Sequence, residues 1–175
     1  MFSRNRVRRL ALVTARKIPK RGGMFRNLLS RLFTESDDAP ALNGQDAEVA
    51  IAALLIRVAR ADDRYSDAER ARIDRILGRR RGLSPDEAAE RRAAAEMIEA
   101  EAPDTVRLTR TIKQRVLLED RLTVISALWE VVYADGGRGA DEEAMVRLAS
   151  GLLGVSDVDS NLARQRVIAE MGPTV

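Results

Sequence analysis

Apolar side chains recur every three to four positions through most of the chain after residue 45, and short polar or glycine-containing stretches separate these segments. This spacing is typical of α-helices with one buried face. Two capping boxes, Ser66 with Glu69 and Ser84 with Glu87, mark helix starts, and Pro85 occupies a first helical position. The pattern predicts helices over about 46–61, 66–79, 84–101, 104–115, 118–133 and 141–152, and a further helix that starts at 156.

One apolar stripe and the acidic turn that follows it occur twice, 73 residues apart, so that Ala61-Asp62 aligns with Ala134-Asp135. The buried stripe repeats with the turn, since Ile51, Leu55 and Val58 correspond to Val124, Leu128 and Val131. Duplicated segments usually form related units around a shared core. We therefore predict an all-α fold, a single bundle of seven to eight helices with an internal pseudo-two-fold repeat, and we place Trp129 in its core.

Charge divides the chain into a basic arm and an acidic body. Residues 1–34 contain ten basic residues and no acidic one, which leaves 20 basic against 27 acidic residues, a net charge of −7, in the rest. We predict a basic N-terminal arm over 1–23, an amphipathic helix and linker over 24–45, and the helical bundle over 46–175. The arm has three interpretations: an electrostatic contact with nucleic acid or anionic lipid, an Arg-rich targeting peptide, or a segment that precedes a natural start at Met24.

The segment Met24–Phe33 predicts an amphipathic helix of about ten residues. Its apolar positions are Phe25, Leu28, Leu29, Leu32 and Phe33, and Arg26 and Arg31 lie between them. Two hypotheses stay open. The apolar face docks on the bundle, or it anchors the chain peripherally at an anionic membrane, which would be the inner face for a cytoplasmic protein.

Cysteine and histidine are both absent from the 175 residues. Zinc fingers, iron–sulfur sites, Cys nucleophiles and Ser-His-Asp triads are thereby excluded. The Glu-x-x-His motif of dinuclear carboxylate bundles is missing too, so we expect no enzyme activity. A bound metal would be a hard ion with oxygen ligands, Ca²⁺ or Mg²⁺. The lack of cysteine also fits a cytoplasmic location.

The acidic turns are the candidate metal site. Aspartate at a helix C-terminus opposes the helix dipole, and the chain places one there in both copies. Caps and Asx-type turns are one explanation for these acids, and convergence on a hard cation is the other. The spacing is not that of an EF-hand. The candidate metal ligands are Asp62, Asp63, Asp67, Glu69, Asp135, Asp141 and Glu142.

These residues also resemble the TerB-like family, which includes helical domains such as those of tellurite-resistance protein TerB and the co-chaperone DjlA. The shared features are an apolar helix that ends in Ala-Asp-Gly, a Glu six residues further on, and a later Leu/Val-Ser pair. Here they read Ala61-Asp62-Asp63, Glu69 and Leu83-Ser84, and then Ala134-Asp135-Gly136, Glu142 and Val155-Ser156. Asp63 replaces the usual glycine. The resemblance covers about residues 24–170 and implies an all-α bundle linked to metal-ion stress responses and membrane-associated complexes.

Two functions follow as hypotheses. The first is a non-enzymatic module of a metal-stress response that binds a hard cation through the duplicated turns. The second is an adaptor or co-chaperone-like domain that binds protein partners without metal. In both cases we expect protein partners and no nucleic-acid partner, because only the arm over 1–23 has the charge for nucleic acid.

Overall fold

The computed structural model describes residues 44–102, 104–136 and 139–172, and all the regular structure in this part of the chain is helical. The predicted arm over 1–23 and amphipathic helix over 24–33 lie outside the described residues. Seven helices are described: α1 Gly44–Ala59, α2 Asp67–Arg81, α3 Pro85–Glu101, α4 Thr105–Arg115, α5 Leu118–Val132, α6 Ala140–Leu153 and α7 Asp157–Met171. None of these seven is long and apolar enough to cross a membrane.

The helix assignments from sequence are confirmed, with small shifts at the ends. Ser66 and Ser84 both form the predicted capping boxes, with the hydroxyl of each accepting from the backbone N–H of the glutamate three residues later. One start differs from the prediction, because α1 begins at Gly44, two residues before the predicted start at 46, and includes Asp46 in its first turn. Asp46 is buried there, only 1% exposed.

Helix α1 lies at the centre of the bundle. Twelve of its sixteen residues are buried, and it packs against α3, α4 and α5. A helix that is apolar on nearly all sides must be surrounded by protein, which explains why helices of both repeats pack against it. Trp129 of α5 is 1% exposed, so its predicted place in the core is confirmed.

The internal repeat is a unit of three helices, α1–α3 and then α5–α7, with α4 as the connection. All six residues of the duplicated stripe are fully buried: Ile51, Leu55, Val58, Val124, Leu128 and Val131. The second helix of each unit ends at a glycine in the left-handed region, Gly82 and Gly154, and the third begins at a serine N-cap, Ser84 and Ser156. The two units therefore share their end signals as well as their core stripe.

Side-chain bonds fix the direction in which the helices run. Trp129 Nε1 donates to Ser160 Oγ at 3.2 Å, and Arg164 Nε donates to Tyr133 Oη at 2.6 Å. From the first bond to the second, the residue number increases along both helices, so α5 and α7 run in the same direction. Arg121, in the first turns of α5, donates to the carbonyl oxygen of Leu153 at the end of α6 at 2.9 Å.

The N-terminus of α1 lies at this same end of the bundle. Arg80 connects the two, because its guanidinium pairs with the Glu48 carboxylate at 3.0 Å and donates to the Thr123 hydroxyl at 3.3 Å. We call the end that carries the first residues of α1, α5 and α7 (Gly44, Leu118 and Asp157) the distal end. The acidic turns after α1 and α5 lie at the other end of these helices, which we call the turn end.

A glutamate pair between the two acidic turns

The two acidic turns share one backbone conformation. Asp63 has a φ of 61°, and Gly136, which occupies the same position in the second copy, has a φ of 77°. Asp63 is the one non-glycine residue with positive φ in the described part of the chain. Aspartate tolerates the left-handed region better than most residues. Asp62 supports the turn, since its Oδ1 accepts from the backbone N–H of Arg64 at 2.9 Å.

Glu69 combines a structural role with deep burial. Its Oε2 accepts from the backbone N–H of Ser66 at 2.6 Å, and its own N–H donates to Ser66 Oγ at 3.2 Å. The residue is only 3% exposed. The cap explanation for this acid is therefore confirmed, but a cap alone does not require burial, since Glu87 caps α3 from an exposed position.

Glu142 occupies the matching third position of α6 and is 6% exposed. Its N-cap is Gly139, which has no side chain to reciprocate a capping box. The Glu142 side chain instead folds over this glycine, so closely that a Cβ at position 139 would collide with Oε2 of Glu142. Glycine at the cap thus leaves the room that the carboxyl group of Glu142 occupies.

The carboxyl group of Glu142 lies close enough to that of Glu69 for a hydrogen bond between them. Such a bond requires a proton on one of them, because two carboxylates have no donor. Burial, followed by the bond to Glu69 and the negative charges of Glu69, Asp62 and Asp135, raises the pKa of Glu142 to about 8 from an ordinary value of 4.5. We call Glu69 and Glu142 the glutamate pair. It joins one carboxyl group from each repeat at the turn end.

Four of the seven predicted metal ligands come together in this way: the glutamate pair and, within electrostatic range, Asp62 and Asp135. The other three, Asp63, Asp67 and Asp141, are exposed. Asp67 pairs with Arg70 at 2.9 Å in its own helix. Within the described residues no group of three or more acidic side chains is arranged as a ready set of metal ligands. The structure thus shows a pair with charged neighbours rather than a formed coordination sphere.

Each repeat has one arginine on its third helix that bonds to neighbouring helices and that the sequence pattern did not reveal. Arg92 donates to Asp74 Oδ1 and to Glu96 Oε1, both at 2.7 Å, and Glu96 accepts from the Tyr65 hydroxyl at 2.9 Å. Burial and the neighbouring Glu96 raise the pKa of Tyr65 above its usual range.

Arg164 plays the corresponding part in the second repeat. It bonds Tyr133 and donates to Glu143 Oε1 at 2.9 Å. The signal that could have found the two arginines is their spacing, since each comes eight residues after the N-cap serine of its helix, Ser84 or Ser156.

Replacing Gly139 by alanine is expected to separate the glutamate pair, because the new Cβ would occupy the position of the Glu142 carboxyl group. The dependence of the unfolding free energy on pH between pH 5 and 8 should then weaken, which urea titrations in a metal-free buffer would measure. Gly151→Ala is the matched control on the same helix. No atom lies within contact distance of a Cβ at Gly151, and Gly151→Ala should raise the free energy of unfolding by about 0.5–1 kcal/mol. Equal pH dependence in G139A and wild type would contradict the expectation.

Fold and site together define a class of protein: an all-α bundle built from two related three-helix units, with an acidic turn in each. The family model described as tellurite resistance protein TerB matches residues 48–165, which include both turns. The chain belongs to the TerB family. The resemblance seen in the sequence is thereby confirmed, over a shorter range than 24–170. No match was found among curated proteins or among solved structures.

Proposed function

We propose that this chain is a non-enzymatic TerB module that binds a hard divalent cation, Ca²⁺ or Mg²⁺, at the glutamate pair with the help of Asp62 and Asp135. The single observation that carries the proposal is the burial of one glutamate from each repeat, near enough to each other that Glu69 helps to raise the pKa of Glu142. The family description, tellurite resistance, is in keeping with a part in a metal-stress response. A cytoplasmic location belongs to the same proposal and is in keeping with the lack of cysteine.

Negative charge is what would attract a cation to the glutamate pair. Ionising two neighbouring carboxyl groups in a buried position costs free energy, which raises the pKa of one of them, and a positive charge between them removes this cost. A proton on one carboxyl group would serve that purpose, and a hard cation with carboxylate ligands would serve it equally well. The chain has no histidine or cysteine, so softer metals would find none of their preferred ligands.

Binding would proceed as an exchange of proton for metal. Glu69 and Glu142 would hold the cation in place of a proton, and Asp62 and Asp135 would add negative charge beside it. Water would complete the coordination, as is usual for Mg²⁺, which is often held by one or two carboxylates. The described residues contain no ready set of three ligands, so the pair would be the centre of the site.

Titration of the full chain with CaCl₂ or MgCl₂ tests the proposal. We expect saturable shifts of the amide signals of residues 62–69 and 139–142, and release of protons near pH 7, which calorimetry in buffers of different ionisation enthalpy detects. Glu142→Gln should abolish both effects, because the amide cannot be displaced as a proton is. Asp141→Asn makes the matching acid-to-amide change at the exposed neighbour and should leave both effects unchanged.

Two results would contradict the metal function. One is the lack of any saturable shift up to millimolar metal. The other is an equal loss of response in the Asp141→Asn and Glu142→Gln variants, which would indicate general attraction of cations by an acidic surface.

An adaptor function without metal is the second proposal, and exposed apolar side chains favour it. Eight large apolar residues are at least 40% exposed: Met97, Val106, Leu117, Leu118, Leu148, Val158, Leu162 and Ile168. In this case the glutamate pair would keep its proton as a structural bond, and protein partners would bind on the outer helix faces. The adaptor function would be favoured if added metal caused no saturable shift of the amide signals and Glu142→Gln left partner binding unaltered.

A further inference from the structure

Three arginines lie on one face of α2, since Arg72, Arg75 and Arg79 are spaced by three and four residues. Glu130 of α5 pairs with two of them. Its carboxylate oxygens lie 3.7 Å from Nη1 of Arg72 and 2.6 Å from Nη2 of Arg79. Arg75 is close enough to Arg72 for their positive charges to repel. The four side chains therefore lie together at the junction of α2 and α5, and we call them the arginine cluster.

Positive charge is in excess at the arginine cluster, because three guanidinium groups face one carboxylate and leave a net charge of +2. Burial, followed by the charge of Arg75, lowers the pKa of Arg72 below its usual range, and the charge of Arg79 acts in the same direction. Neighbouring charged residues of α2 form ion pairs of their own: Asp67 with Arg70, Asp74 with Arg92, and Arg80 with Glu48. An anion at the cluster would therefore relieve repulsion among the arginines.

Hydrogen-bond donors are in excess at the cluster as well. Each guanidinium has five N–H donors, whereas one carboxylate accepts about four hydrogen bonds. Nε of Arg72 is buried and has no hydrogen-bond partner, and it is the one such side-chain atom among the described residues. Arg75 is exposed and forms no ion pair within the same part of the chain. The cluster therefore suits a negatively charged ligand that brings several acceptor oxygens.

The internal repeat shows that the bundle itself does not require these arginines. The positions 73 residues after them, on α6, hold apolar side chains: Met145, Leu148 and Leu152. There α4 lies against the helix, since the Thr105 hydroxyl donates to Sδ of Met145 at 3.7 Å. At the cluster Arg75 and Arg79 are exposed instead. The same place in the fold is thus built without charge in one repeat, which favours a ligand as the reason for charge in the other.

We propose that the arginine cluster binds a phosphate dianion, either free or as a small phosphate ester. The forked donors of arginine match the oxygens of a phosphate group, and a dianion balances the net charge of the cluster. Glu130 holds the guanidinium groups of Arg72 and Arg79 in place before the ligand binds, which lowers the entropic cost of ordering them. The site uses none of the proposed cation ligands, so it does not depend on cation binding.

Titration of the full chain with sodium phosphate tests the proposal, at slightly alkaline pH, with a chelator present and NaCl holding the ionic strength constant. We expect saturable shifts of the amide signals of residues 72–79 and Glu130 and of the Nε–H signal of Arg72, with half-saturation at millimolar phosphate. Arg75→Gln should weaken binding by about tenfold, because it removes a charge-assisted hydrogen bond. Arg81→Gln removes an equal charge from an exposed position of the same helix and should leave binding unchanged.

Glycerol 3-phosphate, titrated in the same way, distinguishes the two sources of the phosphate group. Tighter binding than that of inorganic phosphate would assign the site to esters, and equal or weaker binding would assign it to the free ion. Arg75 and Arg81 are both exposed, so the bundle should persist in both variants, which the remaining amide signals check. The proposal is overturned if neither probe causes a saturable shift at the cluster, if NaCl alone causes the same shifts, or if the two variants weaken binding equally.

Discussion

Stability of the metal-free protein is expected to fall as the pH rises from about 5 to about 8, and the Glu142→Gln variant should lose most of this dependence. The pKa of Glu142 is raised from 4.5 to about 8 in the folded chain by burial and by the acids around it. Between these two values the folded chain binds more protons than the unfolded chain. Stability therefore decreases with rising pH, by at most about 1.4 kcal/mol per pH unit for one proton.

The contribution of Glu142 is complete below its unfolded pKa and is lost as the pH passes its folded pKa. Glutamine at position 142 can donate to Glu69 from its amide at every pH, so the variant should be more stable than wild type above pH 8. Urea unfolding from pH 4 to 9 with a chelator present measures the effect. Asp141→Asn should follow the wild-type curve. A wild-type stability that is constant over this range would contradict the prediction.

The same experiment connects to cation binding. Above pH 8 the glutamate pair would carry two negative charges without a cation, and added Ca²⁺ or Mg²⁺ should restore stability in wild type but not in Glu142→Gln. Any ligand that binds only the folded state stabilises it in proportion to the logarithm of its concentration. We thus expect both the loss of stability at high pH and its recovery by added metal to depend on the glutamate pair.

Replacing Trp129 by alanine is expected to lower the free energy of unfolding by about 3–5 kcal/mol, the range for truncating a large aromatic side chain in a core. Trp129 is 1% exposed, and its ring stacks with Tyr133 and lies under the Arg164 guanidinium. Its indole N–H donates to Ser160, whose hydroxyl also bonds Ser150. Truncation would open a cavity between α5 and α7 and remove this donor.

Trp129→Phe separates the two contributions, because it keeps most of the apolar volume and removes the indole N–H. We expect a cost of about 1–2 kcal/mol for this variant, mainly from the lost hydrogen bond. Met97→Ala, at an exposed position of α3, is the control, and its free energy of unfolding should stay within about 0.5 kcal/mol of wild type. Chemical denaturation measures all three. A Trp129→Ala cost below that of Trp129→Phe would contradict the core role.

Duplication gives the proposed site its particular form. Each repeat supplies one glutamate at the third position of its second helix and one aspartate in its turn, so neither repeat alone has the pair. The two halves are not equivalent, because Ser66 caps the first copy and Gly139 the second. The carboxylate of Glu69 therefore accepts a hydrogen bond from the backbone N–H of Ser66, whereas the carboxyl group of Glu142 lies over Gly139 and beside Glu69.

Local sequence was enough to determine the helices. Ser66 and Ser84 start helices through bonds to residues three positions away, and the duplicated stripe lies on one face by the period of the helix alone. These are interactions between near neighbours, so they can be read without knowing the fold. The all-α class, the internal repeat, the burial of Trp129 and the family all follow from such patterns.

The choice among the seven acids was decided only by tertiary structure. Asp67 and Glu69 are two residues apart and equally acidic, yet one is exposed and the other is buried against Glu142. Side chains two positions apart on a helix point in different directions, and what each meets depends on the helix packed beside it. The contact between Glu69 and Glu142 spans 73 residues and exists because the two repeats share one core. The sequence by itself determined where carboxyl groups could gather, and packing of the repeats decided which two are buried beside each other.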